Sequence, residues 1–114
     1  MRAVLVPVEG LPQVVDLAGG EGIWFMRSLR ALVGAEYVER IRVTDRWEFW
    51  LDEDGWAAGK AVNQAATRVA RGFGARFSLR GTVVITGADD SAAGSAALSR
   101  AQADAIVRRV TAVP

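Results

Sequence analysis

The chain has 114 residues, 51% of them hydrophobic and 24% charged, with a net charge of +1. That is the composition of one globular domain, and the near balance of charges lacks the strong field of a dedicated nucleic-acid binder. With no Cys and no His, a disulfide framework, a zinc finger, a thiol nucleophile and a Ser-His-Asp triad are all excluded.

Taken in chain order, Ala3 to Val8 is a continuous apolar run that suits a strand buried on both faces. Glu9-Gly10-Leu11-Pro12 is a turn, and Gln13 to Leu17 makes a second short strand. Beyond the flexible connection Ala18 to Gly22 the period becomes helical from Ile23 to Val33. Phe25, Met26, Leu29, Leu32 and Val33 share one stripe, and Gly34 is placed to end the helix. Trp24 lies at the edge of that stripe, where Arg27 can cover its ring.

Tyr37 to Val43 and Arg46 to Leu51 read as a hairpin around Thr44-Asp45. Trp47, Phe49 and Leu51 form a core face there, and Glu48 and Trp50 point the other way. Asp52-Glu53-Asp54-Gly55 is an acidic turn, and Asn63 is a good N-cap for a helix to about Arg71, stopped by Gly72. Arg80 to Thr86 is a Val- and Ile-rich strand, and Gly87 to Ser95 reads as a mobile loop. Ser99 with Gln102 forms a capping box for a last helix buried through Ala103, Ile106, Val107 and Val110. The order β-β-α-β-β-α-β-α, with no repeat or linker, predicts a single α+β domain over 1–114. The expected architecture is a mixed sheet of about five strands with three helices packed on one face.

No chemical motif survives inspection. The acidic turn, even with Asp45 upstream, lacks the alternating oxygen ligands of a calcium loop. Val83 to Ala88 opens like a dinucleotide-binding strand, but Ser91 and Ala93 stand where its glycines would fall, and Asp89 and Asp90 would repel phosphate. For acid–base work only Asp, Glu, Tyr37 and Lys60 remain, and no carboxylate pair has an apolar setting. No catalytic residue, metal site or cofactor is therefore predicted, and the sequence points away from an enzyme. The longest stretch without a charge, Ser91 to Ser99, is nine residues, so neither a membrane span nor a signal peptide is visible, and the expected location is the cytoplasm.

The four Trp residues carry more information. Trp47 belongs to the core face, whereas Trp50 and Trp56, with Arg40 and Arg42, have the composition of an interface hot spot. The alternative is that a second helix or the N-terminal segment covers both Trp rings. Arg40, Arg42 and Arg46 with Trp50 could also stack on single-stranded bases, yet Glu36, Glu39 and Glu48 interleave with them, and cross-strand Arg–Glu pairing is the simpler account. Arg68, Arg71, Arg76 and Arg80 have no acidic residue between them and form the candidate nucleic-acid surface, if they are not merely a solvated helix face.

Four blocks of sequence occur in a familiar order. They are Arg2 to Pro7 with Val14 to Leu17, Leu29 to Gly34 with Tyr37 to Glu39, Glu53 to Gly55 with Asn63 and Ala65 to Thr67, and Gly81 to Gly87. Together they resemble a family of small domains of unknown function from actinobacteria, other bacteria and their phages. The family's frequent Leu-Pro-like step between the acidic turn and the Asn is replaced here by Trp56 to Val62. The resemblance implies no activity, but it makes a phage or mobile-element origin plausible for an accessory protein. The leading expectation is a non-enzymatic module that binds a protein partner or itself, homodimerising through a strand edge. The second is a nucleic-acid-binding accessory protein, and the third a small-ligand-binding domain or an enzyme of unknown class.

Overall fold

Strands with apolar residues at consecutive positions need cover on both faces, and this requirement organises the domain. The computed structural model describes residues 1–19, 22–88 and 96–112. Its sheet comprises β1 (Arg2–Val6), β2 (Gln13–Asp16), β3 (Val38–Arg42), β4 (Trp47–Asp52) and β5 (Val83–Gly87), in the order β2-β1-β5-β4-β3. The helices are α1 (Gly22–Val33), α2 (Gln64–Gly72) and α3 (Arg100–Thr111). The α+β class, the element order, the five strands and the three helices are those expected from the sequence.

Two features of the layering differ from the expectation. Every strand pairing is antiparallel, where a mixed sheet was expected, because the hairpins β1–β2 and β3–β4 flank β5 and β5 runs opposite to both β1 and β4. The helices also cover both faces of the sheet. On one face Ala3, Trp50 and Val84 pack beneath Phe25, Leu29 and Val33 of α1. On the other, Val4, Val6, Phe49 and Ile85 pack against Ala66, Val69 and Ala70 of α2 and Ala103, Ile106 and Val110 of α3. Consecutive apolar residues in β1 and β5 demand this arrangement, since a one-sided layer would leave Ala3 and Val84 in water.

Local chemistry sets the boundaries. β1 stops at Val6 because Pro7 has no N–H to continue the ladder. α1 ends at Gly34, whose φ of +73° is easily adopted by glycine and whose N–H donates to Arg30 O at 2.8 Å. β5 begins at Val83 and not at Arg80. Gly81, at φ +77°, breaks the strand and leaves Arg80 only an isolated bridge to Val62. The capping box of α3 is complete, with Ser99 Oγ accepting from Gln102 N at 3.0 Å and Gln102 Oε1 from Ser99 N at 2.8 Å.

Asn63 does more than cap α2. Its Oδ1 accepts from Ala66 N at 3.0 Å, while its Nδ2 donates to Val6 O at 2.9 Å and to Gly81 O at 3.0 Å. One buried side chain thus joins the end of β1, the entry to β5 and the start of α2. Most of the expected loop Gly87 to Ser95 lies outside the described residues. Among the described residues no helix is long and apolar enough to cross a membrane.

Candidate interaction surface

The acidic turn after β4 folds as a rigid platform. Asp52 Oδ1 accepts from Asp54 N at 2.8 Å, and Gly55 N returns to Asp52 O at 3.1 Å. Ala58 N to Asp54 O, Gly59 N to Trp56 O and Lys60 N to Gly55 O close the next turns, with Gly59 at φ +69°. A Cβ on Gly55 would meet both Asp52 O and Arg80 O at 3.3 Å, so the turn sits tightly against the chain leading into β5.

Lys60 is the clasp of this platform. Its Nζ lies 2.7 Å from Asp52 Oδ2 and donates to Gly34 O, beyond the last residue of α1, at 3.2 Å. The Lys60 hydrogen bond holds the Asp52 carboxyl below its ordinary value of 3.8, and the Asp54 N–H acts in the same direction; burial opposes both.

Trp56 projects from the platform with 77% of its surface exposed. The Arg80 guanidinium lies 4.2 Å from the ring centroid, and its Nη1 donates to Lys60 O at 3.0 Å. One side of the indole is therefore backed by a fixed cation and the remainder faces water. Beside it a small pocket of about 120 Å³ is lined by Glu39, Glu53, Trp56, Ser78 and Arg80 among others. Through Glu39, Leu51 and Ser78 this pocket adjoins a larger hollow of about 490 Å³ that runs beside β3 to Phe77.

The chain's fold therefore presents a rigid aromatic next to a groove, and sequence comparison supplies a family for it. A family described as a domain of unknown function, DUF3846, matches residues 1–111. The chain belongs to that family. No curated protein and no solved structure matches this DUF3846 domain.

The structure separates the two Trp residues that the sequence placed together. Trp50 in the DUF3846 domain is only 6% exposed, with the edge of Phe25 from α1 against it at 5.6 Å and 79°. Its Nε1 donates to Thr86 Oγ1 at 2.9 Å, so the indole is both packed and hydrogen-bonded. The covering helix is α1, which leaves Trp50 no role on an accessible surface. Arg40 and Arg42 stand on the same face of the sheet as Trp50 and converge on the buried Glu48. Arg42 Nη2 lies 3.1 Å from Glu48 Oε1, and Arg40 Nη1 lies 3.8 Å from Oε2. Cross-strand Arg–Glu pairing is the arrangement found, with the Arg40 guanidinium also 5.7 Å from the Trp50 ring centroid.

Three arginines of the second set make intramolecular contacts. Arg68 Nη2 donates to Val110 O at 2.7 Å near the C-terminal end of α3, where a cation is favoured by the helix dipole. Arg71 Nη2 reaches Ser78 Oγ at 3.4 Å, Arg80 is held at Trp56, and Arg76 is exposed. The sequence did not reveal Lys60 as a clasp or Arg80 as the partner of Trp56. The Lys60–Gly34 and Arg80–Trp56 contacts join segments more than 20 residues apart and leave no periodic trace.

Proposed function

We propose that this domain is a non-enzymatic binding module that engages a protein partner through the Trp56 corner. The observation that carries the reading is a tryptophan with 77% of its surface in water, backed by the Arg80 guanidinium at 4.2 Å. A Trp side chain buries up to roughly 200 Å², so covering the exposed part of Trp56 is worth about 4 kcal/mol at ~25 cal/mol per Å². Such rigid aromatics next to an Arg dominate protein interfaces because little side-chain entropy is lost on docking. Trp24 is also exposed, at 66%, but its cation, Arg27, comes from its own helix and lies 5.3 Å away.

The family resemblance of the sequence motifs supports an accessory role in a phage or mobile element, acting on a host protein in the cytoplasm. A tagged domain retained on resin with host lysate, with and without nuclease, tests this directly. A protein enriched equally under both conditions is the expected outcome. Enrichment that disappears with nuclease overturns the protein-binding reading in favour of nucleic acid.

A further inference from the structure

A second site, independent of Trp56, lies at the opposite end of β4. There the β3–β4 turn, the end of α2 and one face of α3 border an open pocket of about 360 Å³. That volume falls within the range of roughly 300–1,000 Å³ occupied by small-molecule sites. Its apolar wall is Trp47 and Phe73, whose rings meet edge to face at 5.4 Å and 81°. Arg109 from α3 places its guanidinium 4.7 Å from the Phe73 centroid and 6.0 Å from that of Trp47.

The turn and the amide beside this wall are held by hydrogen bonds. Thr44 Oγ1 accepts from both Arg46 N and Trp47 N at 3.0 Å, which fixes the turn that carries Arg46. The Oε1 of Gln102 is held by the capping box, so its amide nitrogen is left as a donor. Among the described residues neither Arg46 nor Arg109 has a carboxylate within ion-pair distance, and Asp45 is the one acid that lines the pocket. Among the described residues the pocket thus combines an aromatic wall, two arginines and an amide donor with Asp45 as its one acid.

We propose that this pocket binds a small planar anion, an aromatic ring bearing a carboxylate or phosphate group. The ring would lie against Phe73 and Trp47, and the anionic group would take hydrogen bonds from Arg109, Arg46 and Gln102. A bare inorganic anion leaves the aromatic wall unused, and an uncharged aromatic leaves the two cations unpaired.

The test is an NMR titration of the full chain labelled with ¹⁵N, following the indole N–H of Trp47, assigned by loss of its signal in Trp47→Phe. The probes are 2-naphthoate, adenosine monophosphate, naphthalene-2-methanol and inorganic phosphate. Saturable movement of the Trp47 signal by 2-naphthoate or the nucleotide is expected, with the Trp56 signal unmoved. Arg109→Ala should weaken that binding about 10-fold or more, the loss typical of a hydrogen bond to a charged group. Arg46→Ala, in the exposed turn, should do likewise and serves if the Arg109 variant fails to fold. Tighter binding of the nucleotide assigns the anionic group as phosphate, and tighter binding of naphthoate assigns it as carboxylate; both support the site. The proposal is overturned if neither moves Trp47 at millimolar concentration. It is equally overturned if the alcohol or inorganic phosphate binds as tightly as the aromatic anions, or if both arginine variants fold and bind unchanged.

Discussion

Replacing Asn63 separates its two roles. As an N-cap it accepts from Ala66 N, a contact whose loss costs about 1 kcal/mol. As a donor it satisfies Val6 O and Gly81 O in the interior, and each orphaned buried carbonyl costs about 1–3 kcal/mol. Asn63→Ala forfeits all three contacts and should destabilise the domain by about 4 kcal/mol. At about 4 °C per kcal/mol for a domain of this size, the melting temperature should fall by roughly 15 °C. Asn63→Asp is the sharper test, because it keeps the capping oxygen and turns the other oxygen towards two carbonyls. It should cost about 3 kcal/mol or more at neutral pH. Urea unfolding followed by Trp fluorescence and circular dichroism measures both. An Asn63→Asp variant within about 0.5 kcal/mol of the native chain would refute the donor role and reduce Asn63 to an ordinary cap.

Three further outcomes follow from the charged groups and the packing. Arg40→Ala combined with Arg42→Ala strips two cations from the buried Glu48 and should cost about 3–5 kcal/mol by chemical denaturation, whereas replacing all three together by Met in the same assay should be near neutral. The Asp52 carboxyl has a folded value below its unfolded one, so its contribution is complete above the unfolded value and disappears as the pH falls through the folded value. Lys60→Met should therefore flatten the acid limb of the stability–pH profile below about pH 5, as measured by thermal melts in a pH series. Trp50→Phe should cost about 1–3 kcal/mol in urea unfolding, because Thr86 Oγ1 loses the indole donor in a buried position.

The parts of the fold that local chemistry determines were readable in the sequence. Ser99 and Gln102 announced α3, Asn63 announced α2, and the stripe from Phe25 to Val33 announced α1, because each signal lies within a turn or two of the element it specifies. The alternation of Trp47 to Leu51 gave β4 and separated its two faces. It did not reveal that the Glu48 face is also buried, since covering a charged residue requires Arg40 and Arg42 from the neighbouring strand. Strand direction in β5 and the placement of α1 opposite α2 and α3 are decided by long-range packing. The same limit applies to the candidate surface. Trp50 and Trp56 look alike in sequence, and only the approach of Phe25 to one and of Arg80 to the other distinguishes them.

The most direct test of the binding account is quantitative capture from host lysate by the native domain, Trp56→Ala and Trp24→Ala in parallel. Mass spectrometry reads the enrichment of each protein, and thermal melts confirm that all three chains are folded. The account predicts a protein partner retained by the native chain and by Trp24→Ala, with capture by Trp56→Ala reduced about 30-fold or more, equivalent to at least ~2 kcal/mol. A partner held equally by the native domain and Trp56→Ala, or lost equally from both variants, would contradict it.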